Sequence, residues 1–222
     1  MCEENDEQRV EARIQALRKS IDDNTFNQIK PSYVLKLIKL LKKGKARGID
    51  GIPNECLRHL PRRPLVHSTH LFNHCIWLNY FPEPWKVAKI ITLPKPGKGT
   101  KFPQNLRPIS LLSTMGELFQ KVIYNIIQKH IDDRNLLNAS QFGFRACHSM
   151  TLQCMRLTDH VNLNFNNKLS TAAVFLDIEK AFGTTWHPGL LYKLIELNFP
   201  IITIKIISSY FPTGNLKFQL KV

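Results

Sequence analysis

The sequence predicts an α+β fold, helix-rich with a small incomplete sheet. Three observations lead there. Apolar residues recur at helical spacing in several separated stretches. Apolar runs of strand length are few, at 87–93 and 171–177, with an alternating tail at 216–222. Their irregular spacing excludes the regular β–α alternation of a Rossmann or barrel fold.

The elements follow in order. Residues 1–30 form a polar N-terminal segment with an acidic start and mixed helix and loop signals. A helix begins near Ser32, with Val34, Leu37, Ile38 and Leu41 at i, i+3, i+4, i+7, and Gly44 stands where a C-cap belongs. Residues 42–51, KKGKARGIDG, mix basic residues with glycine. They suit either a loop near phosphates or a solvated charge run. A helix over 65–80 carries Leu71, Cys75 and Leu78. Val87, Ile90, Ile91 and Leu93 suggest a strand, stopped by Pro94. Residues 94–108, PKPGKGTKFPQNLRP, read as a strongly cationic loop, because their prolines and glycines oppose regular structure. An amphipathic helix follows, with Leu118, Val122, Ile126 and Ile127 on one side. A further helix is expected at 150–165, then TAAVFLD (171–177) as a strand ending in an aspartate. Helix signals return at 189–210, and LKFQLKV (216–222) alternates like a strand.

The chain's 222 residues suffice to bury a sizeable core. Its 31 Lys and Arg against 17 Asp and Glu leave a formal net charge of +14. Such an excess points to a polyanionic partner, most commonly nucleic acid. The five cysteines are odd in number and lack CxxC spacing. They fit neither a disulfide framework nor a zinc ribbon, but reduced thiols of an intracellular protein. The polar N-terminus is no secretory signal, and no apolar run reaches the length of a membrane span.

Three segments carry chemistry. In AVFLDIEKAFGTTWH (173–187), a carboxylate at the end of a buried strand is held rigidly with its oxygens outward, which suits Mg²⁺. Asp177 is that carboxylate; the simpler alternative is a turn or helix cap. In ITLPKPGK…NLRPISLLS (91–113), Lys95 and Arg107 are cations able to neutralise a phosphate. In SQFGFRACHS (140–149), Phe142, Phe144 and Arg145 offer planes on which bases stack, although two phenylalanines around a glycine also suit a core. Two weaker constellations complete the list. His70 and His74 stand at i, i+4 beside Cys75 without a nearby fourth metal ligand. Cys147 and His148 adjoin, a spacing that rarely lets two side chains face each other.

These segments, with GIDGIPNE (48–55), resemble reverse transcriptases of non-LTR (LINE-like) retrotransposons in order and spacing, across roughly residues 34–222. Jockey-type elements of insects fit best. The resemblance implies the fingers and partial palm of a right-hand polymerase: 1–30 as a polar N-terminal segment, 31–170 as fingers and 171–222 as the start of a truncated palm. It implies RNA-directed DNA synthesis with an RNA template, a DNA primer and deoxynucleotides. It makes Asp177 a catalytic anchor for two Mg²⁺ ions, with the Ile178 carbonyl as a further metal ligand. Phe182 becomes the residue under the incoming sugar, Lys95 and Arg107 the triphosphate clamps, and Phe144 and Arg145 template contacts. Two departures stand out. The family usually has aspartate where this chain has Gly183, and its glycine–proline–glutamine turn and Ala-Asp-Asp hairpin do not occur before Val222. The chain alone is therefore expected to be inactive. The alternative is a non-catalytic nucleic-acid-binding remnant of such an element. An interaction module unrelated to nucleic acid is a weaker rival.

Overall fold

The polar N-terminal stretch is helical for most of its length. In the computed structural model, which describes residues 2–19, 26–97, 99, 101–102, 105–178, 181 and 184–211, helix α1 spans Cys2–Lys19. Its Val10 and Ile14, one turn apart, are buried where α1 packs on α8 (His187–Glu196). The sequence reading gave this stretch only mixed helix and loop signals, although Val10, Ile14 and Leu17 stand at i, i+4, i+7.

Helix α2 (Pro31–Lys39) begins with proline at its first turn, where a missing N–H costs nothing. It buries Val34, Leu37 and Ile38. It ends at Leu40 rather than at Gly44, which instead takes φ +68° in the loop beyond. Arg58, at the end of α3 (Asn54–Arg58), caps α2: its Nη1 donates to the carbonyls of Lys39 and Leu41, both at 2.7 Å. Orphan carbonyls at a helix end need some such partner.

Helix α4 (Arg62–Trp77) buries Leu65, Thr69, Phe72, Cys75 and Ile76. The expected stripe was partly misplaced: Cys75 is buried, but Leu71 and Leu78 are exposed. The stripe containing Phe72 and Ile76 offers more apolar area and wins the core. Thr69 is tolerated there because its hydroxyl donates to the Leu65 carbonyl at 2.8 Å. After the short α5 (Glu83–Lys86) and the hairpin below, α6 (Thr114–Asp133) buries Leu118, Phe119, Val122 and Ile123. An aromatic cluster knits these pieces together. Phe119 stacks on Phe72 at 5.1 Å and lies 5.2 Å from Phe81 and 5.3 Å from Trp85. The signals at 189–210 resolve into two helices, α8 and α9 (Ile201–Tyr210). Asn198, at φ +52°, and Pro200 separate them. Phe81 N–H donates to Ser209 Oγ at 3.0 Å, tying α9 to the end of α4.

The sheet is a single antiparallel pair among the described residues, β1 (Lys89–Pro94) with β2 (Leu106–Leu111). Both ends of the expected loop 94–108 thus belong to the strands: Pro94 closes β1, and Leu106, Arg107 and Pro108 open β2. Lys95 N–H donates to the Asn105 carbonyl at 2.7 Å, extending the ladder by one pair. Hydrogen-bonded pairs alternate along an antiparallel ladder, so Leu93–Arg107 and Ile91–Ile109 are also of that kind. Pro94 and Pro108 fall on the intervening pairs, whose nitrogens point outward and need no acceptor.

The chain divides into two compact units, Met1–His130 with His187–Val222, and Ile131–Trp186. Everything above belongs to the first, apart from the last residues of α6. In the second, α7 (Met150–Asn166) is capped by Ser149, whose side chain accepts from Leu152 N–H at 3.2 Å, and it buries no residue. The expected strand at 171–177 is not formed, and Val174, Phe175 and Leu176 are more than four-fifths exposed. A strand requires a neighbour, and no described residue pairs with this run. The expected strand at 216–222 lies outside the described residues, as do Phe182 and Gly183.

Candidate functional site

The hairpin register decides which cations sit together. Directly opposed residues share a face of an antiparallel pair, and side chains alternate along each strand. Lys89, Ile91, Leu93 and Lys95 therefore share one face with Leu111, Ile109, Arg107 and Asn105. Lys95 and Arg107 are diagonal neighbours on that face, a separation that long side chains bridge. Among the described residues neither pairs with a carboxylate; the salt bridge there joins Lys86 and Glu83 at 2.5 Å. Two adjacent cations with no counter-charge of their own make a receptor for an anion. The turn joining the strands is pinned by Asn105, whose N–H donates to Phe102 O at 2.9 Å and whose Nδ2 donates to Gly99 O at 2.9 Å.

The second unit holds the other expected site residues. The QFGFR element wraps around Asn138. Its carbonyl accepts from Gln141 N–H and from Arg145 Nη1, each at 3.0 Å, and its Oδ1 accepts from Ser140 N–H at 2.8 Å. Arg145 is thus half-buried and partly committed to holding the turn. Phe144 takes φ +55° and is 95% exposed. A bulky residue rarely adopts that conformation, and here it displays a ring to solvent. Phe142 lies edge-on to His148 at 5.0 Å and carries the Arg156 guanidinium 5.1 Å over its ring. Arg156 was missed in the sequence because fourteen residues separate it from Phe142.

Asp177 is exposed on irregular backbone, and Ile178 beside it is 72% exposed. A carboxylate and a carbonyl are the oxygen donors Mg²⁺ prefers. Yet no group of three or more His, Cys, Asp or Glu able to hold a metal occurs among the described residues. One carboxylate does not fit a pair of divalent ions by itself. The weaker constellations also fail. His74 Nδ1 lies 2.9 Å from the His70 carbonyl within its own helix, and burial pushes the Cys75 thiol up. His148 Nδ1 engages the Ala146 carbonyl at 2.9 Å. Among the described residues, no helix is long and apolar enough to cross a membrane.

The described residues thus bring a cationic hairpin together with exposed aromatic and arginine planes in a helix-rich α+β chain. Residues 93–221 match the family described as reverse transcriptase (RNA-dependent DNA polymerase), and the chain belongs to that family. It is similar to the probable RNA-directed DNA polymerase from transposon BS of Drosophila melanogaster, 37% identical over 182 residues, 82% of this chain and 20% of that protein. It is 36% identical to the RNA-directed DNA polymerase from mobile element jockey of the same species, over 80% of this chain and 19% of that protein. To that of transposon X-element it is 33% identical, over 91% of this chain and 22% of that protein. The likeness therefore extends upstream of residue 93, and the chain spans about a fifth of the length of these relatives. The resemblance to non-LTR elements, jockey-type included, is borne out.

Proposed function

We propose that the chain forms the fingers (31–170) and the beginning of the palm (171–222) of a right-hand polymerase that copies RNA into DNA for a non-LTR retrotransposon. The observation that carries this reading is the shared face of Lys95 and Arg107 in a chain of the reverse transcriptase family. There the two cations neutralise the triphosphate of a deoxynucleotide or the backbone of the template, since phosphoryl transfer depends chiefly on positioning and charge compensation. Phe144 stacks on a base, and Arg145 keeps the QFGFR turn in shape while facing the RNA. Asp177, with the Ile178 carbonyl, contributes one side of a Mg²⁺ site, and Phe182 supports the sugar. The partners are an RNA template, a DNA primer and deoxynucleotides, met inside the cell in nucleus or cytoplasm.

A second reading has its own support. Because the described residues do not complete a metal site, the chain by itself acts as a nucleic-acid-binding remnant without turnover.

Both readings require salt-sensitive binding. Binding of single-stranded RNA is expected to weaken with salt through counterion release, and Lys95→Ala and Arg107→Ala are each expected to flatten the slope of log K against log salt by about 0.7. Titration at several salt concentrations measures this; an unchanged slope in both variants would remove the hairpin from the interface.

A further inference from the structure

Helices α6, α8 and α9 leave a cleft of about 430 Å³ between them. Phe81, Ile123 and Ile206 line its base and are buried members of the core. Leu190 and Leu194 line it from α8, and Tyr124 and Tyr210, each more than a third exposed, stand at its rim. The cleft lies within the first unit and holds none of the residues assigned above. In sequence α6 precedes the second unit and α8 and α9 follow it. The cleft therefore joins the two chain segments from which the first unit is built.

Its walls are held in place by the fold. Phe81 meets Tyr210 edge-on at 4.8 Å, and its N–H donates to Ser209 Oγ at 3.0 Å. Phe211 lies flat on His187 at 4.2 Å, tying the end of α9 to the start of α8. Gln120 Nε2 donates to Tyr210 Oη at 3.0 Å, tying α6 to α9. A cleft formed in this way loses little further entropy when a ligand enters.

The lining selects the ligand. None of the lining residues is charged, although the chain carries a net charge of +14. A phosphate group would be desolvated there without a counter-charge, which is costly. Aromatic rings and branched aliphatic side chains favour a flat apolar molecule instead. The polar side chains of the lining are Gln120, Tyr124 and Tyr210. The Tyr210 oxygen accepts the Gln120 hydrogen, so its own O–H is left to donate. Burial, foremost, pushes this phenol up, and its proton is in place at neutral pH. The matching group on a ligand is a neutral acceptor such as a carbonyl. The volume falls in the range that holds drug-sized molecules, roughly 300–1,000 Å³. A stable protein partner covers roughly 800 Å² of surface instead.

We propose that the cleft between α6, α8 and α9 binds a neutral, flat aromatic molecule bearing a carbonyl, with Tyr210 donating to that carbonyl and Gln120 as the positioning residue that orients the phenol. This small-molecule site is separate from the cationic hairpin face and stands independently of the proposed function.

The test is a ligand-detected NMR titration of the full chain with two probes, fluorenone and fluorene, which differ only in the carbonyl. Fluorenone is expected to bind saturably and to raise the thermal midpoint, because it binds the folded state alone. Tyr210→Phe is expected to weaken fluorenone about five-fold, the worth of one neutral hydrogen bond, and to leave fluorene unchanged. Leu190→Trp, at a partly exposed wall position, is expected to fill the cleft and abolish binding of both probes while circular dichroism stays that of the parent. Should Leu190→Trp not fold, the split between the probes in Tyr210→Phe decides alone. K95A/R107A is expected to bind fluorenone as the parent does. Absence of saturable binding by the parent overturns the proposal, as does undiminished binding by a folded Leu190→Trp. A Tyr210→Phe that affects the two probes equally, or neither, overturns the carbonyl assignment. Displacement of fluorenone by an oligoribonucleotide would give the cleft to nucleic acid and overturn the neutral-ligand assignment. Loss of fluorenone binding as the chain dimerises, seen by sedimentation, would give it to a second copy and likewise overturn the proposal.

Discussion

Phe72→Ala is expected to bring the first unit to the edge of unfolding. Phe72 is fully buried, stacked on Phe119 at 5.1 Å and edge-on to Trp85 at 5.8 Å. Removing a buried phenyl ring costs about 3–5 kcal/mol through lost transfer energy and the cavity left behind. Domains of this size have only about 5–15 kcal/mol in total. Relaxation is hindered here, because the ring's neighbours come from α5 and α6 as well as α4 and cannot collapse inward together. Leu71→Ala, one residue away on the exposed side of the same helix, is the control and is expected to change stability by about 0.5 kcal/mol or less. Urea denaturation followed by tryptophan fluorescence separates the two. Equal midpoints would mean that the aromatic cluster is not the centre of the core.

The same pair of residues shows what the sequence could and could not reveal. The helices at α2 and α6 were legible because their apolar residues repeat at 3.6 and nothing competes. In α4 apolar residues occur almost all round, so periodicity located the helix but misjudged its inward face. Leu71 was chosen over Phe72. Helix ends were read from glycine, yet Arg58 caps α2 from seventeen to nineteen residues away, a contact no local pattern carries.

Strands were harder for a different reason. A helix closes its hydrogen bonds within itself, whereas a strand borrows a partner. The run at 171–177 looks more strand-like than 106–111, with its arginine and proline. Only the second has a described partner, and its proline falls where the ladder needs no donor. The candidate site inherits this asymmetry. That Lys95 and Arg107 are cations in one basic segment is plain from the sequence. That they share a face with each other and with Lys89 depends on the register. Asp177 was singled out as the end of a strand, but its backbone is irregular, so its role now rests on the family pattern.

The largest catalytic effect is expected at Asp177, and only in a longer protein. Two divalent ions need several carboxylate oxygens to offset their charge, and the family resemblance assigns this chain one of them, Asp177. By itself the chain is expected to give no primer extension on an RNA template with Mg²⁺ or Mn²⁺. Within a longer protein that supplies the remaining carboxylates, it is expected to extend the primer. In that protein Asp177→Ala is expected to lower the rate by about 10³-fold, since metal stabilisation of the reacting oxygens contributes several kcal/mol and each factor of ten takes about 1.4 kcal/mol. Misfolding does not explain such a loss, because Asp177 is exposed and surface substitutions cost about 0.5 kcal/mol or less; the thermal midpoint measured alongside checks that. Two results would overturn the argument. Extension by the present chain that Asp177→Ala abolishes would mean that it completes its own metal site. Full extension by the longer protein carrying Asp177→Ala would mean that this carboxylate holds no metal.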